Sequence, residues 1–313
     1  MKPITRTLAF LFVAVLLTVP ARAQESTANL QPNFVAGQVS RFELWSLRQQ
    51  HVTMQVGRGS READTRIEMN GQITWTVDRV EPTGGATCTL VIDWLTLNVI
   101  APDGSVMNND SRQPRGDIEV AHGMLRAMTG TPLTFTVAAD GSILSVRGHE
   151  AVNARLPEGA RALPEADFME MAVGLATLPH APAEATIGSV WNHTFTSSHD
   201  LGWMNEESRY QLAGIEEIAG ISVAMVNTTS KLRLEPDLQK MGVPPEVPVT
   251  VRMNNASSQG QIMFDLSRRE VIGRNHTQST SIQIETPIPN TPQRIVQTID
   301  ETVQSQVLRI AEE

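Results

Sequence analysis

The histidines are the first residues whose spacing could support chemistry. His193 and His199 have the same parity in the apparent strand Trp191 to Asp200, so they would face the same way but lie about 20 Å apart. They cannot share a metal ion on an unbroken strand. His149-Glu150 lacks the second histidine, four residues on, that a helical zinc site requires. The other histidines are isolated in sequence: His51, His122, His180 and His276.

Serine and cysteine nucleophiles are not indicated either. The chain has no Gly-x-Ser-x-Gly elbow, and Gly57-Arg58-Gly59-Ser60 is a turn without the strand-to-helix setting that exposes a catalytic serine. Cys88 is the only cysteine, so neither an intrachain disulfide nor a cysteine pair for zinc can form. Cys88 alternates with Leu90, Ile92 and Trp94 on one face of an apparent strand, which predicts a buried, inert thiol.

Paired acids give no stronger signal. Glu206-Glu207 and Glu216-Glu217 are adjacent, whereas glycoside hydrolysis needs two acids that face each other across a sugar. Aromatic residues make up only 4% of the chain, which weakens a carbohydrate-binding interpretation. Asn108-Asn109-Asp110 offers oxygen atoms to calcium without the spacing of a calcium loop. The sequence therefore predicts no catalytic, cofactor-binding or metal-binding residue. A hydrolase with an unrecognised site is the alternative.

The N-terminal residues predict export. Lys2 and Arg6 form a short positive segment, Leu8 to Val19 is an apolar stretch, and Ala21-Arg22-Ala23 places small residues where a signal peptidase reads them. The apolar stretch is shorter than the roughly 20 residues that span a bilayer. We therefore expect a signal peptide over residues 1–23, cleaved after Ala23, an exported periplasmic or extracellular protein, and no later transmembrane segment.

The charge balance argues against a nucleic-acid partner. Cleavage after Ala23 would remove Lys2, Arg6 and Arg22 but no acid, which makes the net charge more negative than the -9 of the whole chain. Phosphate binding needs clustered basic residues, and only Lys231 and Lys240 would remain as lysines. The acidic balance indicates solubility rather than a particular ligand.

Internal similarity predicts two related halves. A constant offset of 135 places the segment from Trp75 to Val91 over the segment from Tyr210 to Val226, and both read as a strand, a tight connection and a second strand. Two further blocks match in the same order. Leu133 to Ile143 corresponds to Ile262 to Ile272 in the second of these blocks. We interpret this as an internal duplication that gives two curved antiparallel sheets packed together.

The predicted elements fit this organisation. Inward and outward residues alternate from Arg66 to Asp78, which is typical of a strand with one wet face. Pro164 to Leu178 carries acids in its first turn and an apolar stripe, and so predicts a connector helix; a shorter helix is expected over Ile118 to Met128.

The domains would be a first β repeat (24–156), a helical connector (157–186), a second β repeat (187–290) and a C-terminal segment (291–313). That last segment fits a closing strand or a helix, and we favour the strand.

Four segments carry a resemblance to a known family: Gly71 to Val77, Asn109-Asp110-Ser111, Leu133 to Gly148 and Phe264-Asp265-Leu266. In these segments the chain resembles exported bacterial β-rich proteins known only as a domain of unknown function. The resemblance implies an all-β, envelope-located protein and no activity, so no catalytic residue is carried over. An outer-membrane barrel is an alternative, disfavoured by the few aromatic residues.

The expected function is non-enzymatic binding of an apolar ligand or a protein partner in the cell envelope. In its specific form this resembles the lipid and lipoprotein carriers of the bacterial envelope, whose half-barrels hold acyl chains under a helical lid. The helix Pro164 to Leu178 would then be the lid, although a helix that simply fills the core is the favoured interpretation. A structural or assembly module with an exposed sheet edge is the second hypothesis.

Overall fold

A computed structural model describes residues 27–199, 201–244, 247–288 and 291–310. The expected signal peptide and its cleavage site after Ala23 lie outside the described residues. None of the described helices combines the length and the apolar character needed to cross a bilayer.

Over the described residues, the chain folds into one open antiparallel sheet of twelve strands with short helices. In spatial order the strands run β6-β5-β3-β2-β1-β12-β11-β10-β9-β8-β7, and β4 also pairs with β3. The strands are β1 Val39–Val56, β2 Gly59–Val80, β3 Ala86–Ile100, β4 Val106–Asp110, β5 Leu133–Val137, β6 Ile143–Arg147, β7 Val190–His199, β8 Gly202–Ile218, β9 Ile221–Pro236, β10 Thr250–Asp265, β11 Glu270–Pro287 and β12 Arg294–Arg309. The mainly antiparallel β fold agrees with the sequence prediction.

The sequence predicted two sheets packed together, and the structure has one continuous sheet instead. The reason is β12, which is a strand and not a helix. It pairs with β1 from Phe42↔Arg309 to Val56↔Ile295 and with β11 from Gly273↔Leu308 to Pro287↔Arg294. Each half of the chain forms a meander, and β12 joins the two meanders edge to edge by hydrogen bonds.

A bulge corrects one detail of the predicted register. Cys88, Leu90 and Ile92 are buried as their alternation predicts, but Trp94 does not share their face. The β2–β3 pairing steps from Ile73↔Ile92 to Gln72↔Trp94, so Asp93 is an extra residue that inverts the alternation. Leu95 is therefore the next buried residue, and the Trp94 ring lies beneath Arg112 at 4.4 Å.

Three helices pack on one face of the sheet, here termed the inner face. They are α1 Glu119–Met128, α2 His149–Asn153 and α3 Glu165–Ala176. Pro164 is the extended N-cap residue of α3, and Glu165 and Asp167 lie in the first turn, where the helix dipole favours acids. Phe168, Ala172 and Leu175 are buried in the core that the inner face forms with the helices.

The sheet is wrapped around α3. This helix contacts β6 and β7, the strands at opposite ends of the sheet, and also β11 near its middle. The β7 edge is also held to the connector: Ser198 N–H donates to Asp167 Oδ1 at 3.0 Å, and the Trp191 indole donates to the Pro179 carbonyl at 3.2 Å. An open sheet can bring both edges to one helix only if it curves strongly, so the inner face is concave.

The two meanders share local geometry at their first hairpins. Gly37 N–H donates to the Val77 carbonyl at 2.8 Å, and Gly188 N–H donates to the Leu212 carbonyl at 2.7 Å. Both glycines have positive φ, at 82° and 95°, and a register shift follows both Val77 and Leu212. The second strands fit less well. Val77 pairs with Cys88 whereas Leu212 pairs with Val226, so the gapless offset of 135 fails after the turn.

Candidate functional site

A cavity of about 410 Å³ lies between α3 and the inner face. One part, here termed the deep end because several of its residues are buried, is apolar and is lined by residues of β1, β2, β3, α1 and α3, namely Leu44, Met69, Ile73, Ile92, Leu95, Met128, Met171 and Leu175. The other part, here termed the mouth because it includes the exposed Glu170, is polar and ionic, with Asp167, Glu170, Glu206, Arg274, His276 and Gln278. A cavity of about 150 Å³ holds benzene, so this one has room for a considerably larger apolar group. The site therefore has an apolar end and a charged end.

Small side chains on the central strands leave space for the cavity. Ser46 on β1 and Ser305 on β12 are directly paired and both line its floor. Each lies between larger neighbours of the same face, such as Leu44 and Val307. Since core side chains normally interdigitate without voids, two adjacent serines at this point leave part of this space unfilled.

The mouth belongs to a polar band that crosses the inner face. Along β11 the inward residues run from buried Val271 through Arg274, His276 and Gln278 to buried Ile282. The band continues through Ser258, Ser230 and Ser208, which are paired in one transverse row across β10, β9 and β8. Beyond the band lies a second apolar zone formed by Met204, Leu232, Leu234, Val251, Met253, Ile282 and Ile284. The inner face thus has a polar band between two apolar zones.

Glu170 is the most strongly perturbed acid at the mouth. Its side chain is exposed, because it opens on the cavity, but protein surrounds that space. The loss of solvation raises the pKa of Glu170 to about 7, and the negative charges of Glu206 and Asp167 raise it further, whereas Arg274 acts in the opposite direction. Glu170 forms no hydrogen bond or ion pair with any residue in the described ranges. It is a carboxyl group without a protein partner.

His276 is held neutral beside this acid. Burial lowers the pKa of His276 to about 4, and the positive charge of Arg274 lowers it further. Its Nε2 lies 2.5 Å from Ser258 Oγ, which donates to it when the ring proton is on Nδ1. Glu206 accepts from the Ser208 hydroxyl at 2.6 Å. Around neutral pH the mouth therefore contains up to three carboxylates and one guanidinium.

The structure separates most of the residues that the sequence singled out. Cys88 is fully buried, and burial raises the pKa of its thiol to about 12. Gly57 and Arg58 form the β1–β2 turn. Asn109 is buried, with its amide oxygen accepting from Ile118 N–H at 3.0 Å. Glu206 faces the cavity whereas Glu207 is exposed on the other face, as adjacent strand residues should be.

Two predicted histidine positions gain neighbours in three dimensions. His193 and His199 both lie on β7. The His193 ring is 5.2 Å from that of His180, which itself contacts Asp140 at 3.2 Å. Burial lowers the pKa of His193, and the charge of His180 lowers it further. Within the ranges that the structure describes, no group of three or more His, Cys, Asp or Glu side chains could hold a metal ion.

A larger cavity of about 600 Å³ is a weaker candidate. Most of its lining residues are polar, such as Gln49, Asp64, Thr302 and Asp300, and they include His51, whose Nδ1 lies 2.7 Å from Asp64 Oδ1. Its larger apolar residues are Ile100 and Pro102, whereas the cavity under α3 is lined by many apolar side chains, as is typical of a small-ligand site. The smaller cavity under α3 is therefore the better candidate.

The unpartnered Glu170 should make the stability of the protein depend on pH. Its pKa is raised in the folded state, so its contribution is most favourable below the ordinary value of 4.5 and is lost as the pH rises toward 7. Relative to Glu170→Gln, the wild type should lose free energy of unfolding between pH 4.5 and 8. The loss should stay below about 1.4 kcal/mol per pKa unit, because the side chain is accessible to water.

Urea unfolding of both proteins at several pH values measures this difference. Glu207→Gln, on the outer face of the same sheet, is the matched control and should show no comparable dependence. A constant difference between wild type and Glu170→Gln across this range would contradict the assigned environment of Glu170.

No family model and no curated protein matches the chain. Among solved structures, it is similar to a DUF1329 family protein from Desulfovibrio piger, at 8% identity and a TM-score of 0.15, over 82% of this chain and 83% of that one. It is also similar to OccK7 (OpdD) from Pseudomonas aeruginosa, at 9% identity and a TM-score of 0.22, over 88% of this chain and 99% of that one. At these TM-scores neither likeness supports an argument about fold or function.

Proposed function

We propose that the protein is a non-enzymatic binding protein that holds an amphiphilic ligand in the cavity beneath α3. The observation that carries this proposal is the polarity of the cavity, which is apolar at its deep end and ionic at its mouth. Ligand sites are typically concave and mainly apolar, with a few polar groups that fix orientation. An acyl chain would occupy the deep end and a polar head group would lie at the mouth.

Under the same proposal, the protein is exported and binds its amphiphilic ligand in the cell envelope. The positive segment, the apolar stretch and Ala21-Arg22-Ala23 support cleavage after Ala23. N-terminal sequencing of the protein from its own host should give Gln24 as the first residue. A mature chain that still begins at Met1 would contradict export by this route.

A substitution that fills the cavity tests the proposed function. Ser305→Trp places a large ring on the floor beside the Leu44–Val307 pair, so we expect at least about a tenfold loss of affinity for an apolar fluorescent probe such as phenylnaphthylamine. Thr298→Trp, on the opposite face of the same strand, is the control and should keep the affinity of the wild type.

Native mass spectrometry complements this titration. Protein purified from its own host should carry a ligand that organic extraction removes. Failure of the wild type to bind the probe, together with the absence of any copurified amphiphile, would reject the proposed function.

The Ser258–His276 contact is the observation that favours a hydrolase as the second candidate. A serine nucleophile needs a basic histidine oriented by an acid. The lowered pKa of His276 makes it a weak base at neutral pH, and none of the described acids forms a hydrogen bond to its Nδ1. Hydrolysis of a nitrophenyl ester that is lost in Ser258→Ala, with the fold retained, would favour the hydrolase.

The assembly module is less well supported by the sheet edges. A partner strand would add to β6 or β7, which end the sheet. The connector covers part of the β7 edge, because Asp167 accepts from Ser198 N–H and Arg161 donates to Ser198 Oγ at 2.9 Å. A stable crosslink in cells to another envelope protein through β6 or β7 would favour this alternative.

We also infer that the two meanders arose by duplication. The matching hydrogen bonds of Gly37 and Gly188, and the register shifts after Val77 and Leu212, support a common origin. The three-residue difference in the pairing of the second strands would then reflect a change in turn length. Homologous chains whose halves align no better than unrelated meanders would contradict this inference.

A further inference from the structure

The mouth of the cavity contains two opposite charges that do not neutralise each other. Glu170 comes from α3 and Arg274 from β11, and both line the same space. Each influences the other electrostatically, since Arg274 opposes the rise in the pKa of Glu170. Neither forms an ion pair or a hydrogen bond with any residue of the described ranges. The two groups are therefore close enough to interact and too far apart to bind each other.

This separation is unusual for charges that are partly removed from water. Half-enclosed charges normally acquire a partner, because a charge that loses solvation without one is costly. Elsewhere in this sheet, partly buried charges are paired: Glu301 binds Arg48, and Glu270 binds Arg309. Glu170 and Arg274 differ from these pairs in facing a space that is large enough for a ligand. The missing partners would come from that ligand.

The arrangement of the charges specifies the chemistry of the ligand's head group. An ammonium group would be attracted to Glu170 and Glu206, while an anionic group would be bound by the guanidinium of Arg274, which suits bidentate recognition of phosphate or carboxylate. A head group that is only anionic would meet three acids, and one that is only cationic would leave Arg274 without a partner. Neutral His276 adds no charge to either side.

On the basis of the proposed function, we propose that the ligand is a zwitterionic amphiphile. Its apolar chain lies in the deep end of the cavity, its ammonium group binds Glu170 and Glu206, and its anionic group binds Arg274. The anionic group is a phosphate or a carboxylate, as in a phosphoethanolamine lipid or an alkyl amino acid. No bond is made or broken, because recognition rests on charge and on the apolar wall.

Competition against the apolar fluorescent probe tests this proposal with single-chain ligands of equal chain length. They are lysophosphatidylethanolamine, an alkyl 2-amino acid, lysophosphatidylglycerol, an alkylamine and a monoacylglycerol. At least one of the two zwitterions should bind about tenfold more tightly than each of the other three. Comparison of the two zwitterions shows whether the anionic group is a phosphate or a carboxylate.

Two variants test which side chain binds each charged group of the ligand. Glu170→Gln should remove most of the preference for the zwitterion over lysophosphatidylglycerol, and Arg274→Gln should remove most of its preference over the alkylamine. Monoacylglycerol should still displace the probe from both variants, which shows that the cavity is intact. Glu207→Gln, on the outer face, should change none of these affinities.

The outcomes distinguish the zwitterion proposal from the amphiphile-binding function on which it rests. Equal affinities for all five ligands would overturn the zwitterion proposal and leave the amphiphile-binding function in place. Preferences that are unchanged in Glu170→Gln and Arg274→Gln would also overturn it. Failure of every ligand, including monoacylglycerol, to compete would overturn both proposals.

Discussion

Phe168→Ala is expected to lower the free energy of unfolding by about 3–5 kcal/mol. The Phe168 ring is only 1% exposed and belongs to the core that α3 forms with the inner face of the sheet. Its loss leaves a cavity at a helix that contacts the strands at both ends of the sheet. We therefore expect a cooperative loss of the whole fold in urea, followed by far-ultraviolet circular dichroism, at a clearly lower denaturant concentration.

The same variant separates the two interpretations of α3. If the helix fills the core, Phe168→Ala destabilises the sheet as a whole. If it is a lid that opens for the ligand, the variant should lose less than about 1 kcal/mol and exchange the apolar probe faster. Glu165→Ala, exposed in the first turn of α3, is the control and should stay within about 0.5 kcal/mol of the wild type.

The strands could be predicted from the sequence because alternation is a local property. The inward residues of β2, such as Ile73, Trp75 and Val77, are buried as their parity requires. The joining of the halves into one sheet could not be predicted in this way. It depends on the pairing of β12 with β1, between residues more than 230 positions apart, and a strand pattern does not specify which edge a strand will join.

Local irregularities limit how far such a pattern can be extended. A single extra residue at Asp93 moves Trp94 to the other face, and Ile272 is a similar extra residue between Val271 and Gly273 on β11. Asp93 has no glycine or proline beside it to indicate the bulge, whereas Gly273 follows Ile272. Hence the alternation that correctly predicted the inner face for Cys88 predicted the wrong face for Trp94.

The candidate site was missed for a related reason. Arg274 and His276 share the parity of buried Ile282 on β11, so they could have been assigned to the inner face as polar residues at apolar positions. Glu170, by contrast, reads as a polar residue of an amphipathic helix. Its meeting with Arg274 depends on the curvature of the sheet and on the path of the connector, and neither is a property of a short segment.

Arg309→Met is the second substitution with a large expected effect, about 3 kcal/mol. The Arg309 and Glu270 side chains are each only 12% exposed and form an ion pair between β12 and β11. Glu270 also accepts hydrogen bonds from Gln38 Nε2 at 2.8 Å and from Ser40 Oγ at 3.2 Å. Removing Arg309 leaves Glu270, where β1, β11 and β12 meet, with only the longer ion pair to the exposed Arg268 at 3.6 Å.

A double variant identifies the cause of this loss. Glu270→Gln combined with Arg309→Met should be less destabilised than Arg309→Met alone, since a glutamine leaves no buried charge and can still accept from Gln38 and Ser40. Arg294→Met is the matched control at the other end of the same two strands, where Arg294 is 64% exposed beside Glu285. It should cost less than about 1 kcal/mol. Equal losses from Arg309→Met and Arg294→Met in urea unfolding would mean that the buried pair does not hold the two meanders together, and that backbone pairing by β12 is sufficient.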